Sequence, residues 1–349
     1  MVHFSKTMLH KISVPLLFLI LLFTQKGFSQ AKFTSKIDSL IEANTKRFFN
    51  GIILVAQNGK VVYSKVKGSA DLENETPLVI DNQFVIGSIS KQMTAVVVLR
   101  EVDKGRIDLH VPVKKYLPNM SQTWLDSITV HQLLNHTSGI TGWNEPLKFK
   151  PSTGFSYSGV GYELLRKIAE NVSGKTYAEL TSEVFKICKM KYSMSPKLNQ
   201  HKSLVNSYVS DSLGKTFKVE SLLKDIQVAA GGMISTAGDL LLWNKNLHGG
   251  KLLSKKSYDM MTTASSKRDH FIFGKVDYGY GLQIDHKGKT SEMGHSGYAT
   301  GFASVNFYYP ETKTTIIVLE NIAWDSKSGD LTEAFQHHLG VRAIVGGGK

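Results

Sequence analysis

Residues 51–66 read GIILVAQNGKVVYSKV, and this stretch sets the expected fold. Two runs rich in β-branched residues flank Asn58-Gly59, a dipeptide that tolerates the positive φ angles of a two-residue hairpin turn. Similar strand patterns return near the other end of the chain, at 278–284, 301–309 and 314–320. Strands near both ends predict an antiparallel sheet that the two terminal segments complete together.

The region between these strand segments is predicted to be mostly helical. Residues 88–104, SISKQMTAVVVLREVDK, contain neither Gly nor Pro, carry apolar residues at helical spacing and stop before Gly105. The expected fold class is therefore α+β: an antiparallel β-sheet formed by N- and C-terminal segments and flanked by helices, with a mostly helical insertion. Further helices are predicted over 129–135, 161–171, 236–247 and 330–340.

The N-terminus has the pattern of a secretory signal peptide. Lys6 and Lys11 precede an apolar run over 12–23, and small residues follow it. A run of twelve residues is shorter than the ~20 that a membrane-spanning helix needs. We expect cleavage near Gln30, a periplasmic or secreted mature protein, and no stable membrane insertion after cleavage. Retention of the segment as an uncleaved anchor is the alternative.

The predicted organisation is a signal peptide at 1–29 and a single domain at 30–349. Within that domain the α/β part covers about 30–104 and 276–349, and the helical insertion covers about 105–275. No internal repeat, low-complexity tract or long linker interrupts the chain. Any second domain is therefore expected to be an insertion.

Composition excludes several classes of protein. Hydrophobic residues make up 42% of the 349 residues and Pro only 8 positions, which is typical of a packed globular chain. Lys and Arg outnumber Asp and Glu by 42 to 29, giving a net charge of +13. The basic residues form no long run and accompany no nucleic-acid-binding motif, so we expect a basic surface and no nucleic-acid partner.

The cysteine and histidine patterns indicate neither a disulfide nor a metal site. Cys188 is the only cysteine, and its apolar surroundings predict a buried, inert thiol. His131 and His136 lack the spacing of a zinc-binding helix, and His337-His338 are expected to point to different faces of a helix. Structural roles are expected for all four histidines. No Gly-rich phosphate loop is present, and no cofactor is expected.

A Ser-x-x-Lys pair at Ser88 and Lys91 is the first candidate for chemistry. Five such pairs occur in the chain, but only this one opens a long apolar helix, where the two side chains share a face and the first-turn N–H groups favour developing negative charge. A lysine buried beside a serine has a lowered pKa and can take the hydroxyl proton. The alternative is that Ser88 caps the helix and Lys91 is a surface residue.

Two further segments carry residue types that suit the same chemistry. Tyr157 precedes a predicted helix, where its phenol could shuttle a proton if cationic neighbours lowered its pKa. GHSGYATGF (294–302) is rich in small residues and leads into a strand, so its backbone can approach a ligand and point an N–H at an oxyanion. Taken alone, the first would be a core tyrosine and the second a turn at a strand edge.

Together these segments resemble the serine β-lactamase and penicillin-binding-protein superfamily, closest to its class C, D-alanyl-D-alanine carboxypeptidase and esterase-like branch. The resemblance runs from about 51 to 319. It is carried by five motifs in this order: GSISKQMTA (87–95), LLNHTSGI (133–140), FSYSGVGYELL (155–165), AAGGMISTAGDLLLW (229–243) and GHSGYATGF (294–302).

The resemblance implies roles for individual residues. Ser88 would be the acylated nucleophile, Lys91 its proton acceptor and Tyr157 the second general acid/base. His295 would face the substrate carboxylate, and the backbone N–H groups of Ser88 and Tyr298 would form the oxyanion hole. The residues expected to bind substrate are His295, Ser296, Gly297, Tyr298 and Gly159.

Two positions depart from the pattern that the resemblance implies. Gly159 stands where the family usually has Asn, so an amide that contacts acylamino substrates is missing, which argues against efficient β-lactam hydrolysis. His295 stands where many β-lactamases carry lysine. Histidine at this position is common in the esterase and peptidase branches. Histidine also carries a less permanent charge than lysine at neutral pH.

The predicted function is that of a secreted serine hydrolase that cleaves an amide or ester bond through a Ser88 acyl-enzyme. A β-lactam, a D-Ala-D-Ala-type peptide such as a peptidoglycan stem peptide, or a small ester would be its substrate. The alternative is a catalytically silent envelope protein that senses peptidoglycan fragments or β-lactams. No Gly-x-Ser-x-Gly elbow occurs, which disfavours an α/β-hydrolase.

Overall fold

The computed structural model describes residues 33–43, 45, 47–196, 203–220, 227–286, 290–324 and 331–347. The helices are α1 (33–42), α2 (Ser90–Asp103), α3 (Val130–Leu134), α4 (Gly159–Ser173), α5 (Tyr177–Cys188), α6 (Val228–Gly231), α7 (Ala237–Leu247), α8 (Lys255–Thr262), α9 (Leu331–Ala334) and α10 (Gln336–Gly346). The strands are β1 (Gly51–Gln57), β2 (Lys60–Lys67), β3 (Ser69–Asp71), β4 (Thr76–Pro77), β5 (Phe84–Val85), β6 (Ser207–Ser210), β7 (Thr216–Val219), β8 (Ile234–Ser235), β9 (Ser266–His270), β10 (Gly274–Tyr278), β11 (Gln283–Asp285), β12 (Glu292–Ala299), β13 (Phe302–Tyr309), β14 (Thr314–Glu320) and β15 (Ile322–Trp324).

An eight-stranded antiparallel sheet joins the two ends of the chain. Its strand order is β2-β1-β14-β13-β12-β11-β10-β9. The N-terminal strand β1 pairs with β14 from Gly51 opposite Glu320 to Gln57 opposite Thr314. The hairpin turn at Asn58 and Gly59 has φ angles of 52° and 72°, as expected for a two-residue turn between twisted strands. The predicted sheet of terminal segments is therefore confirmed.

Alternation along the strands gives the sheet two buried faces. Ile53, Val305 and Val318 pack on one face with α1 and α10. Leu54 and Leu319 point to the other face and pack with α7 and the helical region. Because side chains alternate along a strand, neighbours in β12 are also directed to opposite faces, which decides which of them can reach Ser88.

Helix α2 lies at the centre of the helical region. Every residue from Ser90 to Leu99 is buried, and α4, α5, α6 and α8 pack around the helix. The helix expected over 88–104 is present, but its α-helical part begins at Ser90, since Gly87–Ile89 form a 3₁₀ turn. A helix buried on all sides needs no polar face, which explains why residues 95–99, AVVVL, are apolar without interruption.

The region between the terminal segments contributes more strand than expected. Strands β9 and β10 belong to the main sheet, so the C-terminal part of that sheet begins at Ser266, ahead of the predicted boundary near 276. Strand β9, with the sequence SKRDH, is an edge strand whose side chains alternate in exposure. Its residues are mostly charged, so it lacks the apolar alternation on which strand prediction depends.

A cleaved signal peptide, and no stable membrane insertion after cleavage, were both predicted from the first thirty residues. Within the described ranges, no helix has the length and apolarity needed to cross a membrane. The predicted signal peptide at 1–29 lies outside the described residues.

Candidate active site

Ser88 and Lys91 lie together at the start of the central helix. The 3₁₀ turn places Ser88 one turn before Lys91, and Lys91 Nζ lies 3.1 Å from Ser88 Oγ. The amine also donates to the Ala230 carbonyl at 2.6 Å. The Lys91 side chain is 2% exposed, whereas Ser88 is partly accessible. Burial lowers the pKa of Lys91 from 10.5 because the charged form loses its hydration.

Strand β12 packs directly against the turn that carries Ser88. Gly87 has a φ angle of 54°, and a Cβ there would lie 2.5 Å from the Tyr298 backbone nitrogen. Glycine is required for both its backbone angle and its lack of a side chain. Ser304 Oγ donates to the Ile86 carbonyl at 2.9 Å and fixes the same junction. The backbone nitrogens of Ser88 and Tyr298 are thus brought to one end of the site.

Tyr157 lies over the lysine amine. Its ring centroid is 4.5 Å from Lys91 Nζ, and the next residue, Ser158, caps α4 by accepting from the Gly161 N–H at 3.1 Å. Burial alone would raise the pKa of Tyr157, but the charges of Lys91 and Arg268 outweigh it and the pKa is lowered from 10.0. Within the described residues, the Tyr157 hydroxyl is buried and has no hydrogen-bond partner of standard geometry.

His136 supports this tyrosine from behind. Its ring centroid lies 4.4 Å from that of Tyr157, and its Nδ1 accepts from the Ser158 backbone N–H at 3.2 Å. Burial, followed by the charges of Lys91 and Arg268, keeps the pKa of His136 well below 6.5. We expected a structural role for His136, and the structure places that role inside the active site.

His295 reaches the site in its neutral form. Its Nδ1 lies 2.5 Å from the Ser296 carbonyl and its Nε2 lies 3.0 Å from the Tyr278 hydroxyl. This network assigns the proton to Nδ1 and makes Nε2 the acceptor. Burial is the main reason that the pKa of His295 is well below 6.5, and the nearby charges of Lys91 and Arg268 lower it further. His295 therefore supplies no positive charge at neutral pH.

The structure does not bring the Ser296 side chain to the group around Ser88. Ser296 Oγ accepts from Gln283 Nε2 at 3.3 Å and lies 3.5 Å from His270 Nε2. Its cross-strand partner Val305 packs on the face of α1 and α10. We expected Ser296 to bind substrate, and strand alternation directs its hydroxyl away from His295. Gly297 approaches the Ile86 carbonyl instead.

The space beside Gly159 is occupied by a side chain from another segment. A Cβ at Gly159 would overlap Gln227 Oε1. Gln227 is exposed and precedes α6, whose Ala230 carbonyl holds Lys91. A side-chain amide therefore lies next to this position although residue 159 carries none. Sequence reasoning could not predict this contact, since Gln227 belongs to no local motif.

Arg268 is a second residue near Tyr157 that sequence reasoning missed. It lies on β9, and its guanidinium carbon is 4.1 Å from the centroid of the Tyr157 ring. No motif surrounds Arg268 in the chain, and only the pairing of β9 with β10 brings it to the site. The residues that the structure brings together are Ser88, Lys91, His136, Tyr157, Arg268 and His295.

The remaining cysteine and histidine predictions have separate outcomes. Cys188 is buried, and burial raises the pKa of its thiol to about 12, as expected of an inert thiol. The prediction that His337 and His338 face apart is wrong, because their Nδ1 atoms lie 3.0 Å and 3.3 Å from the Glu320 carboxylate. Across the described ranges, no group of three or more possible ligands could hold a metal ion.

Comparison with known proteins identifies the family to which this site belongs. The family profile described as Beta-lactamase matches residues 37–338. The chain belongs to the beta-lactamase family. Relatives of this chain include proteins described as penicillin-binding proteins and an esterase. The protein is an enzyme of the serine hydrolase type.

Two curated relatives show how far the similarity extends. Penicillin-binding protein 4* of Bacillus subtilis is 26% identical over 324 residues, which covers 81% of this chain and 70% of the relative. Esterase EstB of Burkholderia gladioli is 26% identical over 194 residues, covering 44% of this chain and 49% of the esterase. The similarity therefore covers most of this chain in the penicillin-binding protein and less than half of it in the esterase.

Solved structures show the same fold. An octameric penicillin-binding protein homologue from Pyrococcus abyssi superposes with a TM-score of 0.74 and 27% identity, over 92% of this chain and 77% of that chain. A D-amino acid amidase from Ochrobactrum anthropi SV3 superposes with a TM-score of 0.76 and 21% identity, over 90% and 99% of the two chains. The second comparison bears on the fold alone.

Proposed function

We propose that this beta-lactamase family member is a secreted hydrolase that cleaves an amide or ester bond through an acyl-enzyme on Ser88. The observation that carries the proposal is the 3.1 Å approach of Lys91 Nζ to Ser88 Oγ, made by an amine that is almost fully buried. A serine hydroxyl needs a base to become nucleophilic, and a desolvated lysine can serve as that base.

The site residues support a balanced proton path. Ser88 Oγ attacks the substrate carbonyl while its proton passes to the neutral amine of Lys91. The backbone N–H groups of Ser88 and Tyr298 stabilise the oxyanion. Tyr157 then gives its proton to the leaving group and recovers one from the Lys91 ammonium. Water attacks the acyl-enzyme in the second half of the reaction, and the proton it loses returns to Ser88.

The substrate is proposed from the polar groups around the nucleophile. Candidates are a small ester, a D-Ala-D-Ala-type peptide such as a peptidoglycan stem peptide, and a β-lactam. Residue 159 offers no amide, and neutral His295 offers no cation for a substrate carboxylate. These two features favour esters and simple amides over β-lactams. The names of the relatives, which include an esterase and penicillin-binding proteins, support the same range.

A substrate panel tests this proposal. Nitrocefin, p-nitrophenyl esters and D-Ala-D-Ala peptides would be compared at equal enzyme concentration, with Ser88→Ala as the inactive variant. Ser296→Ala is the matched control, because its hydroxyl lies on the other face of the sheet. We expect ester turnover above nitrocefin turnover, abolished in Ser88→Ala and retained in the control. Turnover that survives in Ser88→Ala would refute the acyl-enzyme.

Secretion is proposed from the sequence pattern alone and needs its own test. The mass of the mature protein recovered from the culture fluid or periplasm should correspond to a chain that begins near Gln30. Full-length protein retained in the membrane fraction would instead indicate an uncleaved anchor.

A further inference from the structure

Arg268 is a partly buried cation for which the described residues provide no ion pair. On β9 its neighbours Lys267 and Asp269 are exposed, whereas the Arg268 side chain turns inward. Within the described residues, Arg268 Nη1 is buried and has no hydrogen-bond partner. Among the residues that the structure describes, no Asp or Glu side chain forms an ion pair with the Arg268 guanidinium. Burying even one nitrogen of an unpaired guanidinium has a free-energy cost, so packing alone does not explain why this side chain turns inward.

The contact that Arg268 does make is with Tyr157. Its guanidinium carbon lies 4.1 Å from the ring centroid, within the range of a cation–π interaction. Lys91 Nζ lies 4.5 Å from the same centroid. The phenol of Tyr157 is thus flanked by two basic side chains that arrive from α2 and from the edge strand β9.

Six groups that can carry charge or titrate face Tyr157. Burial keeps the pKa of His136 and His295 well below 6.5, so both are neutral. Burial also raises the pKa of Tyr162 and Tyr278 well above 10.0, so both phenols keep their protons. Only two cations then remain among these described neighbours. The six groups are Lys91, His136, Tyr162, Arg268, Tyr278 and His295.

The two cations differ in how permanent their charge is. In the proposed mechanism Lys91 must be neutral to accept the proton of Ser88, so its charge is absent when the reaction starts. Arginine stays protonated throughout the working pH range. Lys91 becomes charged only between taking the proton of Ser88 and passing it to Tyr157, so Arg268 is the one of these two positive charges that is present beside Tyr157 at every step.

We propose that Arg268 is a positioning residue for the proton transfer: its guanidinium stabilises the negative phenol of Tyr157 after that proton has left. This inference rests on the proposed function. The proton lost by Tyr157 goes to the leaving group, and the proton that Lys91 took from Ser88 restores the phenol. Arg268 itself exchanges no proton. Arg268, on β9, places a positive charge beside Tyr157. His295, on β12, is neutral and provides no such charge.

The test compares Arg268→Gln and Arg268→Lys by the pH dependence of kcat/KM. The substrate is an ethyl ester without a carboxylate. Its alkoxide leaving group needs the proton of Tyr157, which a p-nitrophenolate does not, and any effect on substrate charge recognition is excluded. Arg268 lowers the pKa of both Tyr157 and Lys91, so its loss raises both. We expect Arg268→Gln to move both limbs of the profile by about one pH unit toward higher pH, with about a tenfold loss of kcat/KM at neutral pH. Arg268→Lys should stay near the wild-type profile.

The matched control is Lys267→Gln, which removes the same charge from the neighbouring exposed position on β9. It should leave both limbs in place. An unshifted profile in Arg268→Gln, with thermal unfolding unchanged, would overturn the proposal. So would a rise in KM confined to substrates that carry a carboxylate, since it would show that Arg268 binds that group instead.

Labelling separates this inference from the proposed function. A fluorophosphonate should still modify Ser88 in Arg268→Gln, because the nucleophile and Lys91 remain. If Ser88 is labelled in the wild type but the pH profile ignores Arg268, only the further inference fails. If Ser88 is never labelled, the proposed function fails first, and the inference falls with it.

Discussion

At the scale of single residues, Lys91 shows why the site is reactive. Its amine is buried with Ser88 Oγ and the Ala230 carbonyl as hydrogen-bond partners, and with Tyr157 over it. An ammonium in this position has lost most of its hydration, so the neutral amine is favoured and can act as a base. The first turn of the helical segment sets the distance between Ser88 and Lys91, and burial lowers the pKa of Lys91 so that its amine is neutral and can accept a proton.

Gly159 gives a prediction at the same scale. Asn at this position would compete with Gln227 for space, but Gln227 is exposed and can move away. In a Gln227→Ala background we expect Gly159→Asn to raise nitrocefin turnover relative to ester turnover by up to about tenfold, the worth of one hydrogen bond. Gly159→Ala in that background is the control for bulk without an amide. Equal ratios in the two variants would show that the amide has no effect.

The residues that the sequence could predict differ in kind from those it could not. Ser88, Lys91 and Tyr157 lie in short motifs whose spacing and helix context carry chemical meaning. Arg268 and Gln227 lie in segments without motifs, and they reach the site only because the sheet edge and α6 fold against it. A pattern along the chain cannot report such contacts between distant segments.

At the scale of elements, the junction between the Ser88 turn and β12 decides the geometry of the site. Gly87 combines a positive φ angle with a close approach to the Tyr298 backbone nitrogen. Helix α2 and the strand pattern of β13 could be read from periodicity and β-branched residues. Strand β9 could not, because its sequence is charged and short. The close packing of the turn on β12 was also beyond sequence reasoning.

Gly87→Ala tests this junction. The added methyl would meet the Tyr298 nitrogen at 2.5 Å and force β12 away from Ser88, so we expect a stability loss of about 1–3 kcal/mol and a large loss of esterase activity. Gly105→Ala is the control, since Gly105 has a similar φ angle of 73° and nothing within 4 Å. It should lose about 1 kcal/mol and keep its activity. Activity retained equally by both variants would contradict the proposed geometry.

At the scale of the whole molecule, a buried ion cluster joins the two terminal segments. Arg47 Nη2 lies 3.1 Å from Glu320 Oε2, and His337 Nδ1 lies 3.0 Å from Glu320 Oε1. Burial alone would raise the pKa of Glu320, but Arg47 and His337 outweigh it and lower the pKa to about 2. The cluster connects the segment before β1, strand β14 and helix α10, which terminal strand patterns alone could not reveal.

This cluster predicts how stability depends on acid. The folded pKa of Glu320 is below its ordinary value of 4.5, so its contribution is present above pH 4.5 and is lost as the pH falls toward 2. The contribution is on the order of 3 kcal/mol. Arg47→Met leaves the carboxylate buried without its cation, so we expect a loss of about 3–5 kcal/mol at pH 7 and acid unfolding at a higher pH.

Urea unfolding at pH 7 and at about pH 2.5 measures both effects, because the lower pH lies within the range over which the Glu320 contribution is lost. Lys65→Met is the control, because Lys65 forms an exposed ion pair with Asp38 at 3.5 Å and should cost less than about 1 kcal/mol. Equal losses in Arg47→Met and Lys65→Met would show that the buried cluster does not hold the terminal segments together.

The most direct measurement is the rate at which a fluorophosphonate modifies the protein, followed by intact mass and peptide mapping from pH 5 to 10. We predict a single adduct on Ser88, formed faster as the pH rises through the lowered pKa of Lys91, and slowed at least a hundredfold in Lys91→Met. An adduct on another residue, or an undiminished rate in Lys91→Met, would contradict the claim that this buried amine activates this hydroxyl.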